Sequence, residues 1–144
     1  MKRMLFTLFL FPSLFSFGQC TDCSSYKKAI KKPEIVTSLI LNSAYDDKIT
    51  LTEFPDSIRA MKNLKILYLT DHELTDIPAF IGELKKLDEL SFAGNKLTIL
   101  PEEIFTLTNL KELILLSNPF SKEYTSYIKK QCREKMPGTK LLID

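Results

Sequence analysis

The 144-residue chain repeats itself. From Leu64 onward the segments LKILYLTDHELTDIPAFIGELKK, LDELSFAGNKLTILPEEIFTLTN and LKELILLSNPF align without gaps at a spacing of 23 residues. Equivalent columns hold Leu64, Leu87 and Leu110; Leu67, Leu90 and Leu113; Leu69, Phe92 and Leu115; and Leu74, Leu97 and Phe120. Ile77 and Leu100, Pro78 and Pro101, Ile81 and Ile104, and Leu84 and Leu107 complete the unit. An earlier copy runs from Val36, Leu39 and Leu41 to Leu51, Phe54, Pro55, Ile58 and Met61, and is five residues longer because of an insertion at 43–50. Agreement in so many columns restricts the chain to an architecture made by stacking one unit. In each L-x-L the two leucines face one side of an extended segment and the residue between them faces the other. The proline opens a short turn or helical piece whose Ile and Leu, three residues apart, return to the interior. One coil cannot cover its own apolar face, so copies must stack. At a strand spacing of ~4.8 Å, four or five strands make a sheet about 20 Å wide.

These residues resemble the leucine-rich repeat family in its short form, L-x-x-L-x-L-x-x-N-x-L-x-x-L-P-x-x-I-x-x-L-x-x, over about residues 36–120. The match is closest to the LP-type repeats of bacterial proteins and of the plant and animal Ras-related group. The resemblance implies an α/β fold, a right-handed solenoid with one short parallel strand per coil. It also implies that the side-chain amides of Asn95 and Asn118, in the family's asparagine column, bond backbone groups in the turn. His72 holds that column in the preceding copy, and is read as a ladder substitute that bonds backbone rather than as a catalytic base.

An open stack needs both ends covered. SSYKKAIKKPEI, within residues 19–35, reads as a short capping helix started by Ser24 or Ser25 and broken at Pro33, with Tyr26, Ala29 and Ile30 over the first coil. Residues 121–144 read as the other cap. Ser121 is the N-cap of a helix carrying Tyr124, Ile128 and Cys132 on one face, Pro137 and Gly138 end it, and 140–143 add an edge strand. Cys132 is then a small core residue and a free thiol, at the opposite end of the stack from Cys23.

Residues 1–18, MKRMLFTLFLFPSLFSFG, have the layout of a secretory signal peptide: Lys2 and Arg3, then an apolar stretch from Met4 to Phe17, then small residues at Ser16 and Gly18. The apolar stretch is shorter than the ~20 residues of a spanning helix, so no membrane span is expected after cleavage. Cleavage after Gly18 leaves Gln19 first and implies a secreted or periplasmic, cell-envelope location. The rival reading is a lipoprotein anchored at Cys20, against which stand Gln19 and the bulky Phe17. The whole chain carries 20 basic and 18 acidic residues, and loss of Lys2 and Arg3 leaves 18 of each. A neutral domain has no long-range field that would draw nucleic acid or anionic lipid. Cys20 and Cys23, in an exported chain, are candidates for a small local disulfide. Two cysteines with the only histidine far away at His72 do not make a zinc site, and no cofactor is expected.

No enzyme signature is present. The best catalytic candidates are Glu89 and Glu112, which share a repeat column and so fall on neighbouring strands roughly 5 Å apart, the spacing of a retaining glycosidase pair. With basic neighbours Lys86 and Lys111 they read instead as surface carboxylates. The residues between and beside the buried leucines form three columns on the strand face: Ser38, Ile66, Glu89, Glu112; Ile40, Tyr68, Ser91, Ile114; and Asn42, Thr70, Ala93, Leu116, with Asp71 at the edge. Ile40, Ile66, Tyr68, Ile114 and Leu116 are large apolar groups with a charged rim, the pattern of a protein-binding surface. The expectation is a monomeric, non-catalytic module that binds a protein through this concave face. A lipidated surface protein and a glycan hydrolase are the alternatives.

Overall fold

The computed structural model describes residues 22–23, 26–43 and 50–144, with backbone only at 22–23. The leader, Cys20, the candidate helix caps Ser24 and Ser25 and most of the 43–50 insertion lie outside the described residues.

Among the described residues a six-stranded parallel sheet runs in chain order: β1 (Asp22–Cys23), β2 (Ser38–Asn42), β3 (Ile66–Thr70), β4 (Glu89–Ser91), β5 (Glu112–Ile114) and β6 (Lys140–Leu142). The strands pair in the register of the repeat, with Leu39 opposite Leu67, Leu67 opposite Leu90 and Leu90 opposite Leu113. The fold is therefore an open right-handed solenoid. The sheet is wider than the four or five strands the repeat count suggests, because the segment Asp22–Cys23 pairs with Ser38–Leu39. Two residues of main-chain pairing leave no periodic pattern to read.

Leu39, Leu67, Leu90 and Leu113 form a fully buried row beside a second row of Leu69, Phe92 and Leu115. On the opposite side each coil turns through a five-residue 3-10 helix: Asp56–Ala60, Ala79–Glu83 and Glu102–Thr106. Pro55, Pro78 and Pro101 sit just before these helices in extended conformation, which the fixed proline φ suits. Ile58, Ile81 and Ile104 then point inward, followed by Met61, Leu84 and Leu107. At Gly82 the next coil comes so close that a Cβ would lie 2.8 Å from that of Glu103. On the outer surface Arg59 and Lys62 reach across to Glu83 at 2.5 and 2.8 Å, and their hydrogen bonds hold its carboxyl down to about 2.

The front cap is smaller than expected. Helix α1 (Tyr26–Ala29) has four residues, followed by a single 3-10 turn at Pro33–Ile35. Ala29 is buried and the Tyr26 hydroxyl shares a hydrogen bond with Ser57, but Ile30 is 42% exposed and stays outside the core. Lys31, Lys32 and Pro33 follow at once, so the helix stops before it can bring Ile30 round to the core.

The rear cap is substantial. Helix α2 (Lys122–Lys135) starts at Ser121, whose hydroxyl accepts the Tyr124 N–H at 3.1 Å. Ile128, Cys132 and Met136, four apart, close the last coil, and Tyr127 packs edge-on against buried Phe105. The Tyr124 hydroxyl accepts the Leu100 N–H and donates to the Leu100 carbonyl, tying α2 to the main chain of the last repeat. Cys132 is a free, buried thiol, and burial pushes it up from its ordinary titration range.

Candidate functional site: the concave sheet

The strand exits are built by a recurring left-handed residue. Asp71, Gly94 and Ser117, at one repeat position, have φ of 58°, 67° and 56°. Their N–H groups reach forward along the stack: Asp71 to the Ala93 carbonyl at 2.9 Å, Gly94 to the Leu116 carbonyl at 3.0 Å, and Ser117 to the Asp144 carboxylate at 2.6 Å. A left-handed residue suits glycine and is tolerated by aspartate, so only Gly94 advertises the turn in the sequence.

Below each exit lies a buried side chain. The Asn95 amide donates to the carbonyls of Leu69 (2.8 Å), Phe92 (2.9 Å) and Ala93 (3.2 Å), and its oxygen accepts the Leu74 N–H at 3.1 Å. Asn118 repeats this with the Phe92, Leu115 and Leu116 carbonyls and the Leu97 N–H. His72 is buried, and its Nδ1 accepts the Leu51 N–H at 3.3 Å, the acceptor half of the asparagine arrangement. These groups are committed to holding the backbone.

The face itself follows the strand pairing. One column runs Ser38, Ile66, Glu89, Glu112, Lys140, and the next Ile40, Tyr68, Ser91, Ile114, Leu142. Ile40 is 37% exposed, and Ile66, Tyr68, Glu89, Glu112, Ile114 and Leu116 are half-buried. Two positions depart from the expectation of a surface column: Ser91 is only 2% exposed and Ser38 is buried as well. Ser91 stands between Tyr68 and Ile114 on the flanking strands, and their larger side chains shield it. The apolar surface is thus two ridges, Ile40–Tyr68 and Ile114–Leu142, with a dip between them. Lys140 and Leu142 joined the face through β6, which the repeat columns, ending at Leu116, did not include.

Both carboxylates have partners within the fold. The Tyr68 hydroxyl donates to Glu89, and Lys140 bonds Glu112 at 2.7 Å. Burial, then the hydrogen bond to Glu89, push the Tyr68 phenol up to about 12. Glu89 and Glu112 are adjacent in the pairing, but one receives a phenol and the other an ammonium, so the pair acts as a surface network. At the edge, Asn42 donates to Asp71 at 3.0 Å. Among the described residues no group of three or more His, Cys, Asp and Glu side chains is placed to hold a metal ion, and no helix is long and apolar enough to cross a membrane.

Residues 55–120 match the leucine rich repeat family model. No curated protein sequence matches the chain. Among solved structures, a leucine-rich repeat protein of Leptospira interrogans is similar with a TM-score of 0.61 and 35% identity, over 74% of this chain and 25% of that one. An internalin from Listeria monocytogenes gives a TM-score of 0.60 at 17% identity, over 85% of this chain and 32% of that one, a likeness of fold. The chain spans about a quarter to a third of the length of these structures. The coils found by self-comparison, the family match falling on them and the likeness to the leptospiral protein agree, and the chain belongs to the leucine-rich repeat family, related to the solenoids of bacterial proteins.

Proposed function

We propose that this chain is an exported, non-catalytic module that holds a protein partner on its concave sheet. The observation that carries the reading is the pair of apolar ridges, Ile40–Tyr68 and Ile114–Leu142, flanked by Ile66 and Leu116 and rimmed by Glu89, Glu112 and Asp71. A sheet face meant only for water would carry polar groups at these positions, whereas an apolar centre with a charged rim suits a protein interface. Pro55, Pro78 and Pro101 support placing the repeats in the LP type. The domain limits proposed are a signal peptide at 1–18, an N-terminal segment and cap at 19–35, repeats at 36–120 and a C-terminal cap at 121–144. The neutral charge of residues 19–144 speaks for a protein partner rather than nucleic acid, and the module is taken as a monomer.

The test starts from a partner recovered with the mature domain in a pull-down. Ile114→Glu and Tyr68→Glu, each checked by circular dichroism for retained fold, are expected to weaken that partner about 30-fold or more, the size of a hot-spot loss. Unchanged affinity in both variants refutes the concave assignment.

Export is proposed from the leader, with cleavage after Gly18. Mass spectrometry of the mature N-terminus is expected to find Gln19 or its pyroglutamate. A diacylglyceryl group on Cys20 would instead make this a tethered surface protein, held only two positions before Asp22 enters the sheet.

A further inference from the structure

The last coil is incomplete on its outer side. Leu141 and Ile143 occupy the two inward leucine columns, yet they are half-buried where Leu113 and Leu115 are fully buried. They border a groove of about 430 Å³ between α2 and β6, floored by Cys132 and Met136. The main chain beside it is also open. Lys140 donates to the Lys111 carbonyl and Leu142 accepts from the Leu115 N–H, so these two residues turn their backbone groups toward β5. Successive residues of a parallel strand turn theirs to opposite sides, which directs those of Leu141 and Ile143 outward along the free edge.

The charge on the rim identifies the occupant. Lys130 and Lys135 of α2 are engaged by Glu134 and Glu102. Lys129 and Arg133, one turn apart, line the groove and form no ion pair among the described residues. A second copy of this chain would bring another basic rim against this one.

We propose that the α2–β6 groove binds an extended peptide segment with an aliphatic and an acidic residue two positions apart, which adds as a further parallel strand beside β6. Its main chain pairs with Leu141 and Ile143; of the side chains on its groove side, an aliphatic one lies over Met136 and Cys132 and an acidic one, two residues away, meets Lys129 and Arg133. This is strand addition to an exposed sheet edge, in which the backbone supplies affinity and alternate side chains supply selectivity. The groove lies on the opposite side of β6 from the concave face, where Lys140 and Leu142 sit.

The experiment is calorimetric titration of the mature chain with a short peptide carrying leucine and glutamate two positions apart with serine between them, and with its leucine–lysine counterpart. The acidic peptide is expected to bind, the basic one not measurably. The double variant Lys129→Glu/Arg133→Glu changes exposed residues only, and is expected to weaken the acidic peptide at least 10-fold and to gain affinity for the basic one. Methylating the peptide nitrogens that face β6 is expected to abolish binding, while Ile114→Glu leaves it unchanged. Equal affinity in wild type and double variant, indifference to N-methylation, or a concentration-dependent dimer that excludes the peptide would overturn the proposal.

Discussion

Replacing Asn95 by alanine is expected to lower stability by about 2–4 kcal/mol, since a buried donor or acceptor stripped of its partner costs ~1–3 kcal/mol by itself. The amide holds three carbonyls from two coils and accepts the Leu74 N–H, all in a position closed to water. Alanine leaves the Leu74 N–H and the Leu69 and Phe92 carbonyls without that partner. A fall in melting temperature on the order of 10 °C is the corresponding readout. Asn118→Ala is expected to cost about half as much, because that side chain is only half-buried and water can take up the vacated bonds. Asn95→His supplies the control. His72 shows that a ring nitrogen can accept the equivalent N–H, so histidine should recover part of the loss. If Asn95→Ala and Asn118→Ala both melt like the parent, the ladder has no stabilising role.

The second large effect compares two leucines in one column. Leu113→Ala is expected to cost about 2–5 kcal/mol, the range for truncating a fully buried leucine. Leu141→Ala, opposite Leu113 in the pairing, is expected to cost about 1 kcal/mol or less, since it removes less area from water. Denaturant midpoints of the two variants measure the difference directly. Equal losses would mean that the edge of the stack is as well covered as its middle, and would remove the basis for an open groove beside β6.

The interior of this molecule was legible because stacking forces the same demand on every coil. A row that must be apolar in one copy must be apolar in all, and Leu67, Leu90 and Leu113 display this at a fixed spacing. The asparagine column was legible through the family resemblance, and His72 because it fell in the same column. Features without periodicity were hidden. β1 is two residues long and its Asp-Cys has no strand signature. Ile30 has the spacing of a capping residue, but the helix ends beneath it. The left-handed turns carry a different residue at each occurrence, so that Asp71 and Ser117 do not announce what Gly94 does. On the face, each residue could be assigned a side but not a height. Ser91 lies low because Tyr68 and Ile114 are tall, which is a property of neighbours 23 residues away on the chain. Lys140 was invisible as the partner of Glu112 because β6 lies outside the repeats and its register is set by the turn after α2.

The unequal caps give the stack a mechanical direction. Interactions in such a coil run mainly between nearest neighbours, so each end holds only as firmly as its last layer. At the front that layer is a two-residue strand and a four-residue helix; at the rear it is a fourteen-residue helix with Ile128, Cys132 and Met136 driven into the core. Force applied at the Asp22 end therefore meets a thin layer first and can peel coils away in order, whereas the same force at Asp144 strips the half-buried strand β6 and is then stopped by α2.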